Sequence, residues 1–298
     1  MEFIDRGDEV EIAGVSDFDP VRVFECGQCF RWDADENGVY TGVAKERVAR
    51  LRSAGTSVFI SGHMEEFGTV WRDYFDLDRD YAQIRRRLCV SDFMKEATEY
   101  GAGIRILRQD KWETLCSFII SQCNNIPRIK KIVASLCREF GDRLEFEGRT
   151  FYTFPPAERL ALLDAVDLAP IRCGYRASYI IGAARAVTRG TPDLESLSRG
   201  PDTDARAALK GLHGVGDKVA DCTLLFGLSM LDSFPLDVWM KRAVAEHFGP
   251  GFSPAVFSPY AGVAQQYIFY YTRGGAQAAR DGAENIPPFT GDGAGYVS

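Results

Sequence analysis

The chain holds no apolar run approaching the roughly 20 residues that span a bilayer, and no early segment pairs a basic start with an apolar stretch. Both absences argue against secretion and membrane insertion. Cationic charge is short as well: 35 lysines and arginines face 42 aspartates and glutamates, for a formal net charge of -7. Such a chain does not coat nucleic acid by bulk phosphate neutralisation, although a local basic face stays open to it. Histidine is scarce. His63, His213 and His247 stand far apart without a carboxylate at metal-ligand spacing, so turn and surface roles are expected of them. The eight cysteines are scattered, most of them in apolar runs where a thiol acts as a small buried hydrophobe, which fits a reducing, intracellular setting, the cytoplasm and nucleoid if the chain is bacterial. Cys26-Gly27-Gln28-Cys29 has the spacing of a redox pair or half a zinc site, but no second such pair follows. No internal repeat occurs, and no metal or cofactor is expected.

What is present is a globular composition of 298 residues, 46% hydrophobic and 12% aromatic, enough to bury a core in two or three packed units. Strands are expected at 21–24, 30–32, 39–41, 48–52 and 58–60, with a hairpin turn at Asn37-Gly38. From Glu65 the apolar period becomes helical through Phe67, Val70, Trp71, Tyr74 and Phe75, then Tyr81, Ile84 and Leu88 behind a cap at Asp78. Ile126 to Phe140 carries the clearest amphipathic stripe, stopped by Gly141. Further helices are predicted near 111–122, 156–165, 176–188, 203–210, 217–228, 236–247 and 254–272. The fold class is α+β: an antiparallel sheet domain with flanking helices over 1–95, a mostly helical region over 96–273, and a glycine-rich, acidic, mobile tail over 274–298.

Chemistry concentrates in Leu212-His213-Gly214-Val215-Gly216-Asp217-Lys218-Val219-Ala220. Two glycines around one apolar residue allow a sharp turn and leave amides free at the start of the next helix, where a DNA phosphate fits. Any tight helix-helix turn explains the glycines equally well. Lys218 changes the balance, because the positive end of a helix dipole disfavours a protonated amine and so favours a nucleophilic one. Asp237, in Phe234-Pro235-Leu236-Asp237-Val238-Trp239, begins the following helix as an N-cap. Its apolar surroundings also suit a carboxylate that stabilises a cationic sugar.

The order of these motifs resembles the helix-hairpin-helix DNA glycosylase superfamily, and within it 8-oxoguanine DNA glycosylase, nearer the bacterial type. The likeness runs to about Arg273 through Gly27-Gln28-Cys29-Phe30-Arg31-Trp32, Ser121-Gln122-Cys123-Asn124-Asn125-Ile126-Pro127-Arg128, Gly174-Tyr175-Arg176-Ala177, the lysine hairpin, and Ala261-Gly262-Val263-Ala264-Gln265. It implies Lys218 as the nucleophile that displaces the base and forms an imine with the deoxyribose, Asp237 as its supporting carboxylate, and strand cleavage by β-elimination. It implies that the Gly27 carbonyl accepts the N7 hydrogen found only in 8-oxoguanine, and that Gln265 reads the Watson-Crick edge. Phe269 and Cys222 would sandwich the extruded purine, with Pro235 and Trp239 beside it. Arg128 and Arg176 would hold the orphaned cytosine, with Asn124 in the gap and Tyr175 as wedge. Gly214, Gly216 and Val219 would take a DNA phosphate.

Core packing explains Phe269 and Cys222 as readily without that resemblance, and either arginine could be an ordinary surface cation. Cys123 stands where animal enzymes carry asparagine; Trp239 replaces a histidine, and Thr272 stands near where an aspartate would orient it. Related endonucleases and adenine glycosylases hold an iron-sulfur cluster on four cysteines after the hairpin; none follows Cys222, so no cluster is expected. The implied partner is double-stranded DNA containing 8-oxoguanine opposite cytosine, met by a monomer away from any membrane. The rivals are a glycosylase for another damaged purine, and a non-catalytic DNA-binding protein in which Lys218 only touches phosphate.

Overall fold

Asp19 starts a helix where the sequence pattern suggests a strand. In the computed structural model, which describes residues 1–280 and side chains as far as Gly274, its carboxylate accepts from the amides of Val21 (2.9 Å) and Arg22 (3.3 Å). With Pro20 in the first turn, this cap sets helix α1 (Pro20–Glu25) in place of the strand expected at 21–24. The sheet is built from β1 (Glu2–Asp5), β2 (Glu9–Ala13), β3 (Trp32–Ala34), β4 (Tyr40–Ala44), β5 (Arg47–Ala54) and β6 (Ser57–Ser61). All pairings are antiparallel, in the order β1-β2-β6-β5-β4-β3. Tyr40 faces Leu51, Leu51 faces Ile60 and Ile60 faces Val10, so one buried apolar row crosses four strands.

That row packs on α2 (Met64–Glu66) and α3 (Arg72–Tyr74), joined by a π turn at Phe67–Trp71 that buries Phe67 and Trp71. Helix α4 (Tyr81–Leu88) is capped by Asp80, whose carboxylate accepts from Gln83, and not by Asp78, which is drawn instead to Arg72 at 2.6 Å. Then follow α5 (Asp92–Tyr100), α6 (Lys111–Ser121), α7 (Ile126–Phe140) with its stop at Gly141, and a hairpin of β7 (Arg143–Phe146) and β8 (Arg149–Tyr152) that the sequence reading lacked. Next come α8 (Ala157–Ala161), α9 (Arg176–Thr188), α10 (Leu194–Leu197), α11 (Asp202–Lys210), α12 (Asp217–Cys222) and α13 (Val238–His247). The pattern over 254–272 splits into a 3-10 turn (Pro254–Phe257) and α14 (Ala261–Arg280). Residues 274–280 of the expected tail are therefore helical, and 281–298 lie outside the described residues. No helix among the described residues is long and apolar enough to cross a membrane.

Two cores result, one under the sheet and one among the helices, and the loop after α1 threads between them. Cys26 and Phe30 are buried in the helical core, Cys29 and Trp32 in the sheet core. Arg31 reaches across to Glu113 on α6 (3.0 Å), with both side chains largely buried, and fixes this loop against the helices.

Candidate active site

The hairpin turn is closed by packing that only glycine permits. Gly214 has φ +85, and a Cβ there would lie 2.3 Å from the Tyr179 ring. The same ring meets His213 edge-on at 4.9 Å and Tyr175 at 5.6 Å. Gly214→Ala is thus expected to cost about 2–3 kcal/mol, read as a lower urea midpoint with weaker duplex binding; an unchanged midpoint would contradict the packing. Gly216 caps α12, and the amides of Gly214 and Gly216 find no acceptor among the described residues.

Lys218 and Val219 open α12. The Lys218 Nζ donates to Ser121 Oγ at 2.8 Å and sits 4.8 Å from the centre of the Phe118 ring. The Ser121 hydroxyl in turn donates to the Phe118 carbonyl (2.8 Å), so it offers the lysine a lone pair. One turn on, Cys222 lies on the same face. Burial pushes its thiol up to about 11, against the opposing pull of Lys218. Asp237 accepts from the Met240 amide at 2.8 Å and caps α13, so the expected N-cap and the candidate catalytic carboxylate are one group.

Lys218, Cys222, Pro235, Asp237, Gly27, Gln265 and Phe269 line one small cleft. Phe118, Phe226 and Gln266 complete it, three residues that no motif in the sequence singles out. Gln265 is 5% exposed and its Oε1 has no partner among the described residues, an acceptor left open at a buried site. Gly27 has φ +82, and a Cβ there would lie 3.4 Å from the Phe269 ring and 3.6 Å from the Ile126 side chain. The cleft opens into a larger groove that shares Gly27, Phe118, Lys218, Asp237 and Phe269 and adds Ser121, Cys123, Asn124, Gly216, Val219 and Trp239.

Other expected residues are placed differently from one another. Trp239 belongs to the groove and not the small cleft, with the Arg242 guanidinium 5.8 Å from its ring. Thr272 turns its hydroxyl to the Ile268 carbonyl of its own helix (2.8 Å). Tyr175 is 54% exposed at the start of α9, an aromatic side chain presented to solvent. Arg128 is exposed, with no side-chain partner among the described residues. Arg176 is buried, its guanidinium donating to the carbonyls of Gln122, Cys123 and Cys173. It braces the loop before α7, a link the sequence did not reveal. Asn124 also serves that loop, donating to the Ile120 carbonyl at 3.1 Å. Cys123 is exposed at φ +47, a conformation asparagine tolerates better than most residues.

All eight cysteines are free; Cys89 and Cys123 are exposed and the other six buried. Cys26 and Cys29 lie in different cores, and burial raises both thiols. Only the thiolate reacts, and a raised thiol gains it only as pH approaches the raised value. Native protein at mildly alkaline pH is expected to titrate two thiols with a disulfide reagent and eight after denaturation, with Cys222 appearing only as pH nears about 11. Ready labelling of Cys222 near neutrality would contradict its burial.

Residues 12–115 match the family described as 8-oxoguanine DNA glycosylase, N-terminal domain, and residues 116–254 the helix-hairpin-helix (HhH-GPD) superfamily base excision DNA repair protein. The chain is similar to the N-glycosylase/DNA lyase of Saccharomyces cerevisiae, 34% identical over 74% of this chain and 65% of that one. It is also similar to N-glycosylase/DNA lyase OGG1 of Arabidopsis thaliana, 30% identical over 83% and 72%. It thus spans just under two thirds of the yeast relative's length. Among solved structures, 8-oxoguanine glycosylase/lyase of Clostridium acetobutylicum, in complex with double-stranded DNA containing cytosine opposite 8-oxoguanine, superposes with a TM-score of 0.87 at 37% identity, covering 93% of this chain and 99% of that one.

Proposed function

Because the chain belongs to the helix-hairpin-helix superfamily of base excision DNA repair proteins, with the N-terminal domain of the 8-oxoguanine DNA glycosylases, we propose that it excises 8-oxoguanine opposite cytosine from duplex DNA and then cleaves the strand as a lyase. The observation that carries this reading is the shared cleft: an amine, Lys218, and a carboxylate, Asp237, open onto the same small space as Gly27, Gln265 and Phe269. A flipped purine entering there meets an aromatic face, an unpaired buried acceptor and a nucleophile at once.

The Lys218 amine attacks the sugar C1′ as the bond to the base breaks, and the base leaves with the electron pair. Loss of the amine proton and opening of the ring give the imine, from which β-elimination releases the 3′ phosphate. Asp237 faces the positive charge that builds on the sugar while the base departs. Gly27 accepts the N7 hydrogen of 8-oxoguanine, where guanine presents a lone pair. Cys222, kept neutral by burial, serves as a polarisable surface against the purine. On the DNA side, Arg128 reaches the orphaned cytosine, Arg176 and Asn124 hold the loop that presents it, and Tyr175 fills the vacated stack. Gly214, Gly216 and Val219 meet a phosphate of the lesion strand, while Trp239 with Pro235 closes the mouth. One copy of the chain carries every one of these residues, so the reading needs no second copy.

Borohydride reduction tests the reading, because it fixes an imine as a stable amine. A covalent complex is expected with 8-oxoguanine:cytosine duplex and not with undamaged duplex. Equal trapping on an alkylated purine would move the substrate to another lesion, and the absence of any trapped complex would overturn Lys218 as the nucleophile.

A further inference from the structure

Gly27 lies between two residues, Cys26 and Gln28, whose carbonyls are each held by a side chain from outside the loop. Gln28 is wholly buried. Its Nε2 donates to the carbonyls of Val23 (3.0 Å) and Arg105 (2.8 Å), and its Oε1 accepts from the Leu107 amide (2.9 Å). Its own carbonyl accepts from Gln109 Nε2 at 2.7 Å, and the Gln109 amide is bonded to the Phe226 carbonyl in the wall of the cleft. On the other side Gln266 Nε2 donates to the Cys26 carbonyl at 3.3 Å, from the helix that also carries Gln265 and Phe269. The Gly27 carbonyl belongs to the plane it shares with the Gln28 amide, so whatever fixes Gln28 fixes that carbonyl.

We propose that Gln28 is a specificity-determining positioning residue, which keeps the Gly27 carbonyl from turning away from N7 of a purine in the cleft. The proposal rests on the reading of Gly27 given above. A carbonyl that accepts N7–H from the oxidised base must also reject guanine, and it does so by opposing its lone pair to that of N7. A loosely held carbonyl escapes that repulsion by rotating, and φ +82 at a glycine leaves the backbone free to do so unless its neighbours are fixed. Selectivity thus comes from rigidity behind the contact as well as from the contact itself.

The test compares Lys218→Gln protein, which cannot form the imine, with the double variant Lys218→Gln/Gln28→Met in binding 8-oxoguanine:cytosine and guanine:cytosine duplexes. The preference for the oxidised duplex is expected to shrink by roughly tenfold. In parallel, Gln28→Met with Lys218 intact is expected to keep lyase activity on a pre-formed abasic site, which needs the lysine but presents no base to Gly27. An unchanged preference with lyase intact overturns the proposal. If Gln28→Met loses lyase activity as well, Gln109→Leu, which frees only the Gln28 carbonyl, must narrow the preference by about threefold with lyase retained, and an unchanged preference there overturns it. A Lys218→Gln protein that does not distinguish the two duplexes overturns the Gly27 reading itself, and the proposal with it.

Discussion

Replacing Lys218 by glutamine is expected to abolish borohydride trapping and to slow single-turnover excision of 8-oxoguanine by at least ~10³-fold, about 4 kcal/mol of barrier. The substitution removes the nucleophile and little else. A glutamine can still donate to Ser121, which now receives the lysine at 2.8 Å, and its stem can still lie against Phe118. Stability and lesion binding are therefore expected to stay close to the parent. The contrast with a phosphate-contacting lysine is quantitative. Losing one such contact weakens binding at every sequence and reduces the salt dependence by about one ion, while excision at saturating DNA is unaffected. Saturating single-turnover rates thus separate the two roles, and parent-like excision by the variant would sink the nucleophile.

The elements read correctly from sequence are those whose signals are local. Asn125 and Gly141 bracket the helix over 126–140, and Asn37-Gly38 marks the turn before β4. The strand expected at 21–24 failed because the alternation of Val21 and Val23 with charged or aromatic neighbours competes with a cap just outside that window, Asp19 with Pro20. The β1-β2 hairpin was missed although Val10 and Ile12 alternate with Glu9 and Glu11, since a strand of five residues at one side of a sheet gives little pattern. For the site, motif order suggested which residues matter but not what they touch. Ser121 lies 97 positions from Lys218 and Cys26 240 from Gln266, and no periodicity encodes contacts of that span. Phe118 and Phe226 are buried in the helical core and stack at 5.4 Å, and nothing local in the sequence marks them as the wall of the cleft. Arg176 looked like a surface cation or a base contact, and its burial under the 122–123 carbonyls follows from packing between α9 and the loop before α7.

Asp237→Asn is expected to lower excision by about 10²–10³-fold, some 3–4 kcal/mol, while leaving stability within about 0.5 kcal/mol of the parent. The two halves of that expectation come from the two duties of one carboxylate. As the cap of α13 it accepts from the Met240 amide, and asparagine does the same nearly as well. As a charge it stands at the cleft with Lys218 and Cys222, where the thiol senses both the lysine and the aspartate. Only the second duty needs a full negative charge. Asp237→Ala removes both, so about 1 kcal/mol of stability should go in addition to the rate, and a urea titration beside the kinetics separates the losses. A further split follows from when the positive sugar forms. It develops as the base departs, and an abasic site has no base to lose. Lyase activity of Asp237→Asn on abasic duplex should fall by less than about tenfold, while excision on the 8-oxoguanine duplex falls far more. Equal losses on both substrates would place Asp237 in the chemistry of the imine, and not in the departure of the base.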